Sequence, residues 1–197
     1  RNVGTGILKG KLALPSEETA SLLFSAYCSD AKDEPEFKNV REIMKNQWLW
    51  VFNRQLWTPK GVFVVYDSKA EGLSKKLNSS ELEKQLGKSS KGIHYSSDRR
   101  IRFAPRETYN LGEHTSSSLS KDGFVIANYG EEGAEKLGEV SAKFKIKPMT
   151  FGFDVDKNKN PEQRVASLYL YWGLDGSWLN VGGNDWSWGD GRRAAGS

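Results

Sequence analysis

The sequence is short of the residues that build disulfides, zinc sites and most active sites. Its 197 residues include one cysteine, Cys28, and two histidines, His94 and His114. A lone cysteine excludes an internal disulfide and a cysteine-rich zinc site, and it gives little support to an oxidising compartment. No apolar run approaches the roughly 20 residues that a membrane helix needs. We therefore expect no membrane partner.

Catalytic motifs are also missing. No Gly-x-Ser-x-Gly nucleophile elbow and no Walker phosphate loop occurs in the sequence. His94 lies near Ser96 and Ser97, but a histidine in a strand or loop is most often merely polar. Carboxylate pairs such as Glu131 and Glu132 lie in polar stretches where nothing would raise a pKa. We expect that the protein is not an enzyme.

The composition is that of a globular chain with a mild basic bias. Hydrophobic residues make up 37% and charged residues 27%, and the formal net charge is +4. One domain is the default at this length, and the charge is compatible with a polyanionic partner. The chain begins at Arg1, and we expect it to be a fragment that has lost an N-terminal segment.

Strand patterns dominate the sequence. Residues 48–57, "WLWVFNRQLW", are rich in aromatic and β-branched side chains, and residues 62–68 and 93–105 also have strand character. Short helices are expected at 38–47 and 79–87, whereas 16–28 fits a helix or a strand. Long helices do not alternate with the strands. This order predicts an all-β fold, an antiparallel β-sandwich of jelly-roll type with short helices in its connections.

A further hairpin is expected within residues 122–148, "DGFVIANYGEEGAEKLGEVSAKFKIKP". In 139–147, apolar residues alternate with polar ones, and three lysines fall on one side. The pattern predicts strands at 123–129 and 138–147. The lysine row is either a solvated face that discourages edge pairing or a surface that contacts phosphates.

These stretches, taken in order, resemble a known family. The helix and aromatic strand in 37–72, the strand end from Gly61 to Asp67, "SSELEKQLG", "RRIRFAP" and the hairpin in 122–148 are similar to the shell domain of coat proteins from small non-enveloped positive-strand RNA viruses, of tombusvirus and sobemovirus type. The resemblance covers about 37–148. It implies a jelly-roll shell domain at 1–148, followed by a Trp/Gly-rich extension at 149–197 that packs on or continues the same domain.

The resemblance also implies a function and a location. A coat protein assembles with copies of itself into an icosahedral shell around viral RNA, in the virion and in the host cytoplasm during assembly. The arginine-rich N-terminal arm of that family is not in the sequence given. The basic residues expected to hold RNA through non-specific phosphate contacts are those of two predicted strands: Arg99, Arg100, Arg102, Lys143, Lys145 and Lys147.

A calcium site is a further hypothesis. Asp154, Asp156, Asn158 and Asn160 supply oxygen atoms at alternate positions, as calcium loops do. An EF-hand is excluded, because Lys159 stands where the loop needs glycine and Val165 where it needs glutamate. A looser calcium site and a plain asparagine-rich turn both remain open, and the resembled family often binds calcium between subunits.

The C-terminal stretch 169–191 combines tryptophans with glycines. Its candidate residues are Trp172, Trp178, Trp186 and Trp188. Three roles remain open for them. They could complete the core, with Leu168, Leu170 and Trp172 pointing inward against Tyr169 and Tyr171. They could instead form a protein interface or stack on sugar rings. The alternative function is therefore a carbohydrate-binding β-sandwich module that uses this cluster.

Overall fold

The fold consists of one mixed sheet with helices packed against it. The computed structural model describes residues 16–46, 49–69, 71, 73–156, 160–173, 176–184 and 193–194. Its α-helices are α1 (Ser16–Tyr27), α2 (Pro35–Asn46), α3 (Ser79–Glu83), α4 (Ser116–Leu119) and α5 (Gly123–Ser141). Its strands are β1 (Leu49–Thr58), β2 (Gly61–Tyr66), β3 (Leu86–Ser90), β4 (Ile93–Ser96), β5 (Ile101–Pro105), β6 (Gly112–Glu113), β7 (Met149–Phe151), β8 (Glu162–Gly173), β9 (Gly176–Asn184) and β10 (Arg193–Ala194).

The strands follow one continuous path of hydrogen-bonded neighbours. Their order is β3-β4-β5-β2-β1-β8-β9-β7-β6, and β10 pairs with β1 off this path. The β7–β9 and β1–β10 pairs are parallel, and the other pairs are antiparallel. Since β8 pairs with β1, the sheet continues from the first half of the chain into the last 50 residues.

The central strand β1 is buried on both faces, as its aromatic and β-branched composition predicts. Because side chains alternate along a strand, residues 51, 53, 55 and 57 share the face that meets α1 and α5. On this face Trp57 is fully buried and its ring packs on Phe124, with ring centroids 4.9 Å apart. The opposite face carries a smaller apolar cluster of Leu56, Phe63, Leu82 and Ile101.

Helices α1 and α5 lie side by side and run in the same direction. Lys136 Nζ donates to Ser21 Oγ at 2.9 Å near their middle, and the rings of Tyr27 and Phe144 meet edge to face at 5.4 Å beyond their C-terminal ends. Near the N-terminal end of α1, helix α5 bends at Gly130, where φ is +72°. A left-handed φ of this kind favours glycine.

The predicted hairpin in 122–148 is wrong, because residues 123–141 form the helix α5. Asp122 caps this helix: its carboxylate accepts hydrogen bonds from the backbone N–H groups of Phe124 and Val125. Residues 124–129 are all buried, and a short apolar run buried on all sides has the same composition in a helix as in a strand. The alternation in 139–147 spans the end of α5 and the turns that follow it.

Other secondary-structure predictions are confirmed. The helix expected at 38–47 is α2, the strand expected at 48–57 is β1, and 16–28, which was open between two states, is mainly helical. The helix expected at 79–87 is shorter: it ends at Glu83 and is capped by Asn78.

The fold is β-rich with a mixed sheet and a few helices, and this part of the expected fold class is confirmed. The described strands follow one hydrogen-bonded path, and the finer expectation of a jelly-roll sandwich stays a prediction. Among the described residues, no helix has the length and the apolar character needed to cross a membrane.

Candidate functional site: an arginine-lined cleft

Three of the arginines singled out in the sequence lie together at the turn between β4 and β5. The turn is held by local hydrogen bonds: Ser96 Oγ donates to Asp98 Oδ1 at 2.7 Å, and the Arg100 backbone N–H donates to the same oxygen at 3.0 Å. These hydrogen bonds lower the pKa of Asp98, and the one from the Ser96 hydroxyl has the largest effect. Arg99 has a φ of +58°, a backbone geometry that non-glycine residues rarely adopt.

This turn forms one wall of a cleft of about 180 Å³. The other walls come from the start of α1, from β1 and β2, and from α5 just before its bend. The lining residues are Glu17, Asn53, Val64, Tyr66, Asp98, Arg99, Arg100, Arg102 and Ala127. Three guanidinium groups therefore meet two carboxylates around this cleft.

The two outer arginines lie over tyrosine rings. The guanidinium carbon of Arg99 is 5.6 Å from the ring centre of Tyr95, and that of Arg100 is 5.4 Å from the ring centre of Tyr66. Both distances are in the range of cation–π contacts. Burial raises the pKa of both tyrosines. These two arginines are exposed. Arg100 Nη2 donates to Ser68 Oγ, and the other N–H groups of the two side chains are accessible to an anion.

Arg102 lies deeper and is held on three sides. Its side chain is 15% exposed and forms an ion pair with Glu17. Its Nη1 donates to the Ala127 carbonyl at 3.4 Å, and its Nε donates to the Arg99 carbonyl at 3.3 Å. The ion pair joins β5 to the first turn of α1. Arg102 therefore fixes the position of the inner wall of the cleft.

A chain of buried amides lies beneath the cleft. Asn53 Nδ2 donates to the Asn128 carbonyl at 2.8 Å, and Gln55 Nε2 donates to Asn128 Oδ1 at 2.9 Å. Trp57 Nε1 then donates to Gln55 Oε1 at 3.2 Å. A satisfied buried network of this kind rigidifies its surroundings. It fixes β1 against α5 below the arginines.

The sequence singled out the arginines of this cleft but not its other polar residues. Glu17, Asn53 and Tyr66 were not singled out as site residues. The run of polar residues at 53–55 between apolar residues of one strand was a signal of a buried polar site. Glu17 had no comparable signal, because its contact with Arg102 joins residues 85 positions apart.

The three lysines of the predicted RNA surface lie elsewhere. Lys143, Lys145 and Lys147 are exposed in the turns after α5, and Lys147 Nζ forms an ion pair with Glu113 at 2.6 Å. They lie at the C-terminal end of α1, where Tyr27 meets Phe144, whereas Arg102 lies at its N-terminal end. Ten helical residues separate Glu17 from Tyr27, or roughly 15 Å at 1.5 Å per residue. The lysines and arginines therefore lie near different ends of α1.

The calcium candidates are described only in part. Asp154 is exposed, and its Oδ1 lies 3.6 Å from Arg106 Nε. Asp156 and Asn160 are also exposed, and Asn158 lies outside the described residues. Within the part of the chain that the structure describes, no group of three or more His, Cys, Asp or Glu side chains is placed to hold a metal ion. The calcium site stays a prediction.

Two of the aromatic candidates belong to β8 and β9, which lie on the other side of β1 from β4 and β5. Trp178 of β9 stacks on Tyr171 of β8, with ring centroids 4.3 Å apart and planes inclined by 31°. Leu168 and Leu170 are buried, as the alternation in this strand predicts, and Tyr171 is exposed. The backbone of Trp172 belongs to β8 but its side chain is not described, and Trp186 and Trp188 lie outside the described residues.

Phe151 belongs to the same exposed surface. Register pairs place Phe151 opposite Gly182 and Tyr171 opposite Trp178. Residues 178 and 182 are four apart in β9, so all these side chains point from the same face of the sheet. Phe151 is 55% and Tyr171 49% exposed. We call Phe151, Tyr171 and Trp178 the aromatic face.

The histidines do not suggest an active site. His94 is exposed on β4. His114 is buried, and its Nε2 lies 3.1 Å from the Asn110 carbonyl and 3.0 Å from Thr150 Oγ1. Its Nδ1 lies 3.3 Å from Ser118 Oγ, which also takes part in the capping box of α4. These contacts hold α4 to β7, and Asp122 Oδ2 lies 3.9 Å from His114 Nε2.

Comparisons with known proteins give a distant similarity in fold. No family model matches the chain, and no curated protein matches it. A solved structure, "Accommodation of massive sequence variation in Nanoarchaeota by the C-type lectin fold", matches with a TM-score of 0.44 and 12% sequence identity. The match covers 87% of each chain. A similarity at this level carries no argument about function.

Proposed function

We propose that the protein binds a single-stranded polyanion, with RNA as its partner, at the arginine-lined cleft. The observation that carries the proposal is the convergence of Arg99, Arg100 and Arg102 on one cleft. Guanidinium groups suit phosphate because they present several N–H donors in a fixed plane. Tyr66 beside them is half-buried and offers aromatic surface for a base, whereas Tyr95 is buried.

The chemistry of the cleft favours binding without sequence readout. Contacts from arginine to phosphate position a nucleic acid but carry no base information. Asn53, which is a potential base-reading group, already donates to the Asn128 carbonyl. Binding of this kind needs no catalytic group. It keeps the part of the RNA hypothesis from the sequence that depends on the arginines.

The salt dependence of binding tests the proposal. Each phosphate contact on a single strand contributes about −0.7 to the slope of log K against log salt concentration. Three arginines therefore predict a slope of about −2 for a labelled oligouridylate of about 12 nucleotides, measured by fluorescence anisotropy. The triple variant R99Q/R100Q/R102Q should lose most of this slope.

The lysines provide a matched control with the same loss of charge. K143Q/K145Q/K147Q removes three positive charges at the other end of α1, and it should keep most of the slope. Circular dichroism and urea unfolding verify that both variants are folded. Equal slopes for the two triple variants would contradict the proposal and would indicate that only the net charge matters.

The aromatic face favours a second candidate, which is the carbohydrate-binding module. Its specific observation is the exposed ring of Tyr171, which stacks on the half-buried Trp178 in the sheet. Aromatic rings with one apolar face open to solvent stack on the C–H faces of sugars. A glycan array with the wild type and W178A tests this candidate, with Y66A as a control that removes an aromatic ring elsewhere. Sugar binding that survives W178A would contradict it.

The coat-protein hypothesis stays a prediction. The helix α5 replaces the hairpin on which part of that resemblance rested, and no feature of the described residues favours an icosahedral shell. A jelly-roll sandwich, assembly with copies of this chain and a location in the virion belong to the same hypothesis. Electron microscopy of the expressed protein tests it directly: closed shells would support it, and a monomer at high concentration would contradict it.

A further inference from the structure

Glu17 places a negative charge inside the arginine-lined cleft. Its carboxylate contacts Arg102 Nη2, and its side chain is 40% exposed while that of Arg102 is 15% exposed. An anion that entered the cleft would meet Arg99 and Arg100, which are exposed and have no carboxylate on their guanidinium groups among the ion pairs of the described residues. It would find the third guanidinium already in contact with a carboxylate.

The surrounding backbone makes room for this carboxylate. Gly130 lies at the bend of α5, and a Cβ atom at this position would be 3.1 Å from Glu17 Cγ and 3.2 Å from Glu17 Oε1. Both separations are tighter than ordinary van der Waals contact. A larger residue at 130 would therefore push the Glu17 side chain. Glycine at this position and the ion pair fit together sterically.

The position of Glu17 in the helix also allows it to leave Arg102 without a large cost. As the second residue of α1, it lies in the first turn, where a negative charge interacts favourably with the helix dipole whether or not it contacts an arginine. Its partly exposed side chain can turn toward water. Release of Arg102 therefore needs a side-chain rotation rather than movement of a helix.

We propose that Glu17 is a built-in competitor that occupies the phosphate position on Arg102 and is displaced when the phosphate of a ligand binds. This inference rests on the proposed polyanion function. It assigns Glu17 as the residue that sets the affinity of the cleft, because every bound phosphate at Arg102 must first replace a carboxylate. Arg99 and Arg100 make the first contact, and Arg102 completes the site.

The test uses the same oligouridylate and the whole chain. E17Q removes the competing charge and should bind more tightly by about fivefold at low salt. This is the effect expected when binding no longer has to break a partly exposed ion pair. E139Q removes one negative charge from the exposed side of α5 near the lysines and should change the affinity less than about twofold. The salt slope of E17Q should match that of the wild type, because the number of phosphate contacts is unchanged.

A variant that keeps the negative charge at position 17 separates the effect of the local contact from that of net charge. E17D keeps the carboxylate but is shorter by one methylene group, so it reaches Arg102 less well and should bind with an affinity between those of the wild type and E17Q. An E17Q affinity equal to that of E139Q, with arginine-dependent binding intact, would overturn the role of Glu17 alone. An absence of arginine-dependent binding in the wild type would instead overturn the proposed function.

Discussion

The cap of α5 provides the sharpest test of the fold, because this segment has the strongest strand pattern in the sequence and yet forms a helix. Asp122 is 5% exposed. Its Oδ1 accepts hydrogen bonds from the backbone N–H groups of Phe124 at 3.0 Å and Val125 at 3.3 Å, and its Oδ2 accepts one from Asn110 at 2.9 Å. One carboxylate thus starts the helix and holds the preceding loop. We predict that D122A destabilises the protein.

The size of the effect follows from these three bonds. Loss of an N-terminal cap costs about 0.5–2 kcal/mol, and loss of a hydrogen bond to a charged acceptor costs about 1.5–3 kcal/mol when no water replaces it. Asn110 is exposed, so water partly compensates there. Burial also raises the pKa of Asp122 and offsets part of the gain from its carboxylate. The expected loss is about 2–3 kcal/mol.

Urea unfolding followed by far-ultraviolet circular dichroism measures this loss. D122N keeps one oxygen acceptor for the cap and should lose about 1 kcal/mol. D30A removes an exposed aspartate from the short 3₁₀ helix Asp30–Asp33 between α1 and α2, and it should stay within about 0.5 kcal/mol of the wild type. If D122A were as stable as D30A, Asp122 would not cap a helix and the assignment of α5 would be wrong.

Three further predictions concern the buried ion pair of Arg54 with Asp67, the bend of α5 and two buried tyrosines. R54M leaves the buried Asp67 carboxylate without the guanidinium whose Nε lies 3.7 Å away. It should cost about 3 kcal/mol in urea unfolding, and adding D67N should recover part of this loss; no recovery would contradict the pairing. G130A forces alanine to a φ of +72° against Glu17 and should cost about 1–2 kcal/mol, whereas G87A, at a site with no atom within 4 Å of its added Cβ, should cost much less. Burial raises the pKa of Tyr109 to about 12 and that of Tyr129 well above its usual range. Because the folded state holds these protons, it loses stability as the pH rises above about 10. In a pH titration, the absorbance of tyrosinate at 295 nm should therefore rise at higher pH in the folded protein than in the chain unfolded in guanidinium, and coincident curves would refute this.

Much of the fold was predictable from local patterns. The composition of β1, the helical spacing in α2 and the alternation of buried Leu168 and Leu170 with exposed Tyr171 each depend on neighbours along the chain. The three arginines of the cleft were predictable for the same reason, since they lie within four residues of one another. Local spacing is enough to place side chains that share one strand or one turn.

The failures have a common physical cause. In 122–148, an apolar run without solvent on either side loses the contrast that distinguishes a helix from a strand, and the decision passes to the cap at Asp122 and to packing against α1. The lysines after α5 alternate in sequence, but they lie in turns and far from the arginines. Distances between segments depend on packing that no periodicity encodes.

The sequence by itself determined a β-rich chain with a core strand at 48–57, a basic turn at 99–102 and an aromatic C-terminal stretch, because each of these depends on residues that are close along the chain. The tertiary structure alone decided that 123–141 is a helix, that Glu17 meets Arg102 across 85 positions, and that the arginines and lysines lie at opposite ends of α1. These relations follow from which surfaces bury one another, and burial brings together residues whose separation in the sequence carries no signal.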